Sequence, residues 1–304
     1  MRRKLIKQGN NSYTLTLPIH WIREEGLEES KEIMLTQEDR DLVLKVPKDQ
    51  KKAENKIEID LKNFNEMTVK TVLNQAYRKG YDTIILLVHT DHQKKVIDDL
   101  TQNTLLGFEV VEKSEQKIIL QNIAEPSSEK FDVILRKIFL VILEEGKEIL
   151  EDFQKGKLDN FAKRKTSKAL IDNYANFCRR LIIKEKIGGT KDSYPLMLLV
   201  SRLTLINRSY FYLYKYAANQ KKAPYISKET LSIFAEANAL FRLLYDSFYT
   251  RKIEAVHEFW TKKETLIFNR FYQQLEFSKG PENVVLYHLG EIILLTQLTP
   301  FWIC

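Results

Sequence analysis

Ser12-Tyr13-Thr14-Leu15-Thr16-Leu17-Pro18-Ile19-His20-Trp21 is the stretch that decides how this chain is read. Tyr13, Leu15 and Leu17 alternate with Ser12, Thr14 and Thr16, the period of a strand with one apolar face. Pro18 suits the first position of a short helix, where its fixed φ helps and its missing N–H is not needed. Gly26 can end that helix a turn or two later. Upstream, Arg2, Arg3, Lys4 and Lys7 crowd into the first seven positions. Downstream, Glu32 to Glu38 and Leu42 to Val46 are two more apolar runs around a tight turn at Asp39-Arg40-Asp41. The predicted order is strand, loop, strand, short helix, strand, turn, strand.

A four-strand unit of this size buries too little apolar surface to stand alone. In order and in residues it resembles the AbrB/SpoVT/MazE swapped-hairpin domain. The matching features are a basic first strand over Arg2 to Lys7, a loop at Gly9-Asn10-Asn11-Ser12, Leu15 to Pro18, Trp21, and a closing hairpin over Ile33 to Val46. The resemblance implies an interleaved homodimer whose paired loops and first strands face DNA. Its expected DNA contacts are Arg2, Arg3, Lys4, Lys7, Asn10, Asn11, Ser12 and Arg23. Alternation divides the basic set, with Arg3, Leu5 and Lys7 on one strand face and Arg2, Lys4 and Ile6 on the other. The loop offers backbone N–H and amide groups to phosphates, and Arg23 adds a phosphate contact. Where the family often carries basic residues between Leu-Pro and Trp, this chain has Ile19-His20. A swapped-hairpin dimer that serves only oligomerisation is therefore the competing reading.

Net charge adds little to the choice. The chain of 304 residues carries +7, yet residues 1–50 hold nine Lys/Arg and nine Asp/Glu, so the excess lies beyond them. Lys155 to Lys191 hold eleven basic residues against Asp159, Asp172 and Glu185, a pattern usual for a solvated helix face. Two cysteines, Cys178 and Cys304, cannot form a disulfide framework and suit a reducing compartment. No signal-peptide pattern is seen. The apolar stretches Tyr194 to Ile206 and Val284 to Cys304 are interrupted by Arg202, and by His288, Glu291 and Gln297, so membrane insertion is not expected. The expectation is a soluble, cytoplasmic protein.

Three segments are predicted. Asp49 to Lys56 reads as a linker, followed by a small α/β domain over 57–124. Its elements are strands at Ile57 to Asp60, Thr83 to Val88, Phe108 to Val111 and Lys117 to Gln121, with helices at Glu66 to Lys79 and Asp91 to Leu106. After a second linker at Glu125 to Lys130, helices are expected near 131–154, 157–186, 192–220, 227–250, 253–277 and 282–301. Their breaks are Gly156, Gly188-Gly189, Lys221 to Pro224, Thr250 to Lys252 and Gly280-Pro281. Two sets of three helices suggest an internal repeat. The domain order, with Ala76-Tyr77, Gly80-Tyr81-Asp82 and Leu105 to Val111, resembles archaeal proteins that couple an AbrB-like domain to a PhoU-like helical domain. The fold expected is thus multi-domain α+β: a swapped-hairpin domain over 1–50, a small α/β domain over 57–124, and a PhoU-like pair of three-helix bundles over 130–304.

The PhoU resemblance implies acidic metal sites, because carboxylates four apart share a helix face and hard cations want several oxygens. Carried across, the matching positions hold Asp172 with Asn176, Asn269-Arg270, Ser201-Arg202 to Ser209, and Glu291. Amide oxygens are neutral, so Asp172 and Glu291 alone make a poor metal cluster, and no cofactor is expected. His89 and His92 lack further ligands nearby; His20, His257 and His288 stand alone on helices. Cys178 sits beside Arg179 and Arg180 without a partner histidine, and no phosphate loop or nucleophile elbow appears, so no enzyme is expected. The aromatic run Tyr210, Phe211, Tyr212, Tyr214 and Tyr216 reads as bundle core. The function implied is a dimeric DNA-binding transcriptional regulator resembling archaeal phosphate uptake regulators, its helical domain sensing or relaying a signal. The alternative is a PhoU-like adaptor that binds a transporter or kinase through its helical domain.

Overall fold

The computed structural model describes residues 2–30, 32–38, 40–46, 55–123 and 128–297. The chain divides into two compact units, Met1–Lys56 and Ile57–Cys304. The expected linkers, the Asp39 position and the tail with Cys304 lie wholly or partly outside the described residues.

The first unit contains strands β1 (Leu5–Gln8) and β2 (Ser12–Leu15), helices α1 (Ile19–Glu24) and α2 (Leu27–Ser30), and strands β3 (Met34–Glu38) and β4 (Asp41–Lys45). Each strand pair is an antiparallel hairpin; Leu5 faces Leu15 and Lys7 faces Tyr13 in the first, and Leu35 faces Leu44 in the second. Gly9 supplies the positive φ, +69°, that turns the first hairpin. Two expectations are corrected. The strand begins at Leu5, so Arg2, Arg3 and Lys4 precede it and the face alternation reaches only Lys7 among the basic residues. Pro18 is extended at the position before α1, its carbonyl accepting from the Ile22 N–H at 3.1 Å, rather than lying inside the helix. Within this unit Leu27 alone is buried among the described residues, while Leu5, Ile6, Tyr13, Leu35 and Leu42 are all more than half exposed.

The second unit opens with a four-stranded sheet in the order β5-β6-β8-β7, from β5 (Lys56–Asp60), β6 (Thr83–Leu87), β7 (Phe108–Lys113) and β8 (Lys117–Asn122). Helices α3 (Glu66–Arg78) and α4 (Asp91–Asn103) follow β5 and β6. Asn65 caps α3 by accepting from the Thr68 N–H, and Thr90 caps α4 by accepting from the Gln93 N–H. Leu73, Tyr77, Ile84, Ile97, Ile118 and Leu120 form a core beneath them.

The rest is helical: α5 (Ser128–Lys155), α6 (Phe161–Lys184), α7 (Gly189–Ala218), α8 (Lys228–Thr250), α9 (Ile253–Leu266), a π-helical turn (Ile267–Phe271), α10 (Tyr272–Phe277) and α11 (Pro281–Leu295). Helices α5, α6 and α7 pack together, as do α8, α9 and α11, and the two groups meet along α7 with α11 and α5 with α8. One continuous core runs through both, and Tyr210 and Tyr214 are buried in it. At the α5–α8 crossing Tyr210 donates to Asn238 Oδ1 (2.7 Å) and Asn238 Nδ2 donates to the Gly146 carbonyl (2.8 Å). Helix α6 starts at Phe161 rather than 157, because Asn160 is held outside it: its N–H donates to Tyr214 (3.0 Å) and its amide to Asp152.

Gly290 of α11 touches the Phe271 ring closely; a Cβ there would lie 2.5 Å from Phe271 Cζ. Gly290→Ala is expected to lower stability by about 1–3 kcal/mol in denaturant unfolding, the usual effect of overpacking a core. An unchanged midpoint would mean that the ring moves aside freely.

Lys263 of α9 closes the end of α11, donating to the carbonyls of Leu294 (3.0 Å) and Thr296 (2.7 Å). Burial, and then the charge of Arg202, bring its pKa down from 10.5 to about 8. A depressed folded value means that stability present above pH 10.5 is lost as pH falls through 8. Against Lys263→Met, the parent's unfolding constant should therefore fall roughly 70-fold between pH 7 and pH 10. A difference that does not vary with pH would show that the amine keeps an ordinary affinity for its proton.

Candidate nucleic-acid interface

The hairpin of β1 and β2 displays the expected contact residues. Arg2, Arg3, Lys4, Lys7, Asn10, Asn11 and Ser12 are all exposed. The Ser12 hydroxyl donates to the Gln8 carbonyl across the turn, and Thr14 Oγ1 donates to the Ile6 carbonyl (3.2 Å), so the hairpin end is locally fastened. Lys7 and Tyr13 are opposite each other on one face. A cation leaving a fixed hairpin beside an aromatic ring can reach phosphate while the backbone sets its position. Arg23 stands apart: its Nε pairs with Glu28 Oε1 at 3.3 Å, and both side chains are well exposed. Exposed pairs of this kind are weak, so Arg23 can exchange Glu28 for another anion.

The two acids considered as metal ligands have separate sets of partners. Asp172 accepts from Lys168 (2.8 Å) and Arg208 (3.0 Å), whereas Glu291 accepts from Ser209 (3.1 Å) and Tyr287 (3.1 Å) and pairs with His288 (2.8 Å). Arg208 and Ser209 are successive residues of α7, whose side chains leave a helix about 100° apart. Among the described residues, no group of three or more His, Cys, Asp or Glu is arranged to hold a metal ion. His89 and His92 diverge to Asp60 (2.6 Å) and Glu66 (3.4 Å). Arg270 pairs with Glu229 and Glu236 beside the π-helical turn. Burial pushes the Cys178 thiol up to about 12, and the neighbouring Arg179 does not offset this.

Two charged clusters carry no signal in the sequence. In the first, fully buried Arg164 of α6 donates to Glu145 (2.9 Å), Glu148 (2.6 Å) and Asp152 (3.4 Å) of α5. A polar cleft of about 200 Å³ lies over it, lined by Glu148, Glu151, Asp152, Asn160, Lys163 and Arg164. The second lies where α3 meets α6 and α7. Arg78 donates from Nε (2.8 Å) and Nη2 (2.6 Å) to Asn176 Oδ1, and Arg179 Nη2 donates to Thr204 Oγ1 (3.0 Å). Arg208 and Lys168 share Asp172, and the buried Nε of Arg208 has no partner. Burial, then the charges of Arg78 and Arg208, lower the Arg179 pKa to about 10. Arg179 and Arg208 are visible in the sequence as basic residues, but Arg78 reaches them from another element.

Beside this second cluster, buried Arg180 joins sheet to helices. It donates to the carbonyls of Tyr77 (2.8 Å) and Tyr81 (2.8 Å) and to Asp82 (3.1 Å), with Tyr77 and Phe108 rings about it.

Residues 6–53 match the family model described as antidote-toxin recognition MazE, bacterial antitoxin. Over that segment the chain carries a MazE/AbrB-like domain, the type found in DNA-binding and antitoxin regulators. No curated protein and no solved structure matches the chain. Among the described residues, no helix is long and apolar enough to cross a membrane.

Proposed function

We propose that this protein is a dimeric DNA-binding regulator, with residues 1–50 as the swapped-hairpin domain, 57–124 as an α/β domain and 130–304 as a PhoU-like helical domain that relays a signal. The observation that carries the reading is the first unit itself. It matches the MazE family, exposes its strand apolar residues and buries only Leu27 among the described residues. A second copy interleaved with the first supplies the missing core, and it sets two copies of Lys7 and of the Gly9-Asn10-Asn11 turn side by side. Backbone charges then set affinity, and the paired turns read groove shape.

Arg3→Ala combined with Lys7→Ala is expected to weaken binding about equally for unrelated duplexes. It should also flatten the slope of log affinity against log salt by roughly one for each phosphate that is no longer neutralised. Gel shifts at several salt concentrations measure both, alongside residues 51–304 alone, which should not shift DNA. If the full chain retains no duplex even at low salt, the DNA reading fails. A protein partner still captured by residues 51–304 would then favour the adaptor.

A further inference from the structure

We propose that the junction of α3, α6 and α7 is a binding site for a small tetrahedral oxyanion, a phosphate or phosphomonoester, held by Arg78, Arg179 and Arg208. The argument is one of charge and of unused donors. Arg78 of α3, Lys168 and Arg179 of α6 and Arg208 of α7 bond at one junction, to Asn176, Asp172, Thr204 and Asp172 respectively. Asp172 is already occupied by Lys168 and Arg208. Arg78 and Arg179 give their hydrogen bonds to neutral oxygens of Asn176 and Thr204, so their charge is solvated but not neutralised. A guanidinium has five N–H donors; Arg78 spends two on one amide oxygen, and Arg208 keeps a buried Nε unused.

Like charges drawn together away from water oppose one another, and a fold that holds them so is poised for an anion. The planar forks of several arginines match a doubly charged tetrahedral oxyanion better than a single carboxylate. All four cationic side chains are half-buried, which leaves an edge for a small ligand to enter and no open face for a duplex. Contrast the Arg164 cluster, where Glu145, Glu148 and Asp152 satisfy the one guanidinium internally. The site joins the α/β sheet to the helices next to Arg180, so an anion there would tighten the seam between them.

The test is calorimetric titration and thermal unfolding of the full chain with inorganic phosphate, with a nucleoside monophosphate, and with sodium chloride at matched ionic strength. Phosphate or the monophosphate should give saturable heat and a raised midpoint, which chloride does not reproduce; whichever binds tighter identifies the source. Arg179→Gln should weaken that affinity at least tenfold. Without anion it should unfold no earlier than the parent, because a like charge has gone. Arg78→Gln should behave alike. No saturable binding up to ~10 mM ligand, or variants that unfold early yet bind normally, would overturn the proposal. The titration contains no nucleic acid, so its outcome and that of the gel shifts are independent.

Discussion

Tyr13→Asp combined with Leu35→Asp is expected to leave a monomer of 35.9 kDa that no longer retains DNA. Both side chains are among the most exposed apolar residues of the first unit, at 64% and 59%. In a two-fold assembly each substitution acts twice, so four apolar side chains leave the interface together. Burying a side chain of that size contributes about 1.5–3 kcal/mol. The dimer constant should therefore weaken by more than ~10⁴-fold, since each 1.4 kcal/mol is about tenfold. Sedimentation measures it. The helical transition followed by circular dichroism should stay where it was, because the second unit keeps its own cores. A variant that still sediments as a dimer would place the interface elsewhere and remove the main support for the DNA reading.

Arg164→Met should cost about 3–5 kcal/mol of stability, the usual effect of removing one partner from a buried ionic network. Arg164 is 1% exposed, and its guanidinium is the counter-charge for Glu145, Glu148 and Asp152. Tyr214 also donates to Asp152 (3.0 Å), with its ring 5.4 Å from the guanidinium carbon, so the loop at Asn160 loosens as well. The effect should depend on pH. Burial already holds the Glu145 carboxyl above 4.5, and without Arg164 it rises further. A raised folded pKa gives stability that is present below the unfolded value and lost as pH rises. The deficit should thus be largest near neutrality and shrink toward pH 4.5, as read from urea midpoints. Adding Glu145→Gln should restore part of it. A deficit constant with pH would assign the cost to packing instead.

Local rules account for most of the elements. Asn65 and Thr90 cap the helices whose apolar spacing predicts them, and Gly80, Gly156 and Gly280 take positive φ where breaks are expected. The Thr250 to Lys252 break, which has no glycine, is made by Arg251 at φ +55°. Element ends depart from expectation where tertiary bonds intervene, as at Asn160. The hairpin residues were legible because two strands and a turn are written within a few consecutive positions. Arg78 was not, since its meeting with Arg179 and Arg208 depends on how α3 lies against α6.

The sequence by itself determined the order of strands and helices, the hairpin unit with basic residues ahead of its Gly-Asn-Asn turn, and the scarcity of acids at the second- and third-helix positions. Those are properties of neighbours along the chain, fixed by periodicity, caps and turn residues. Only the tertiary structure decided that Asp172 and Glu291 have separate partners, that Arg164 is buried among three carboxylates, and that Arg78 meets the helices that carry Arg179 and Arg208. Charge becomes costly or useful only where water is excluded, and packing between distant elements decides where that happens.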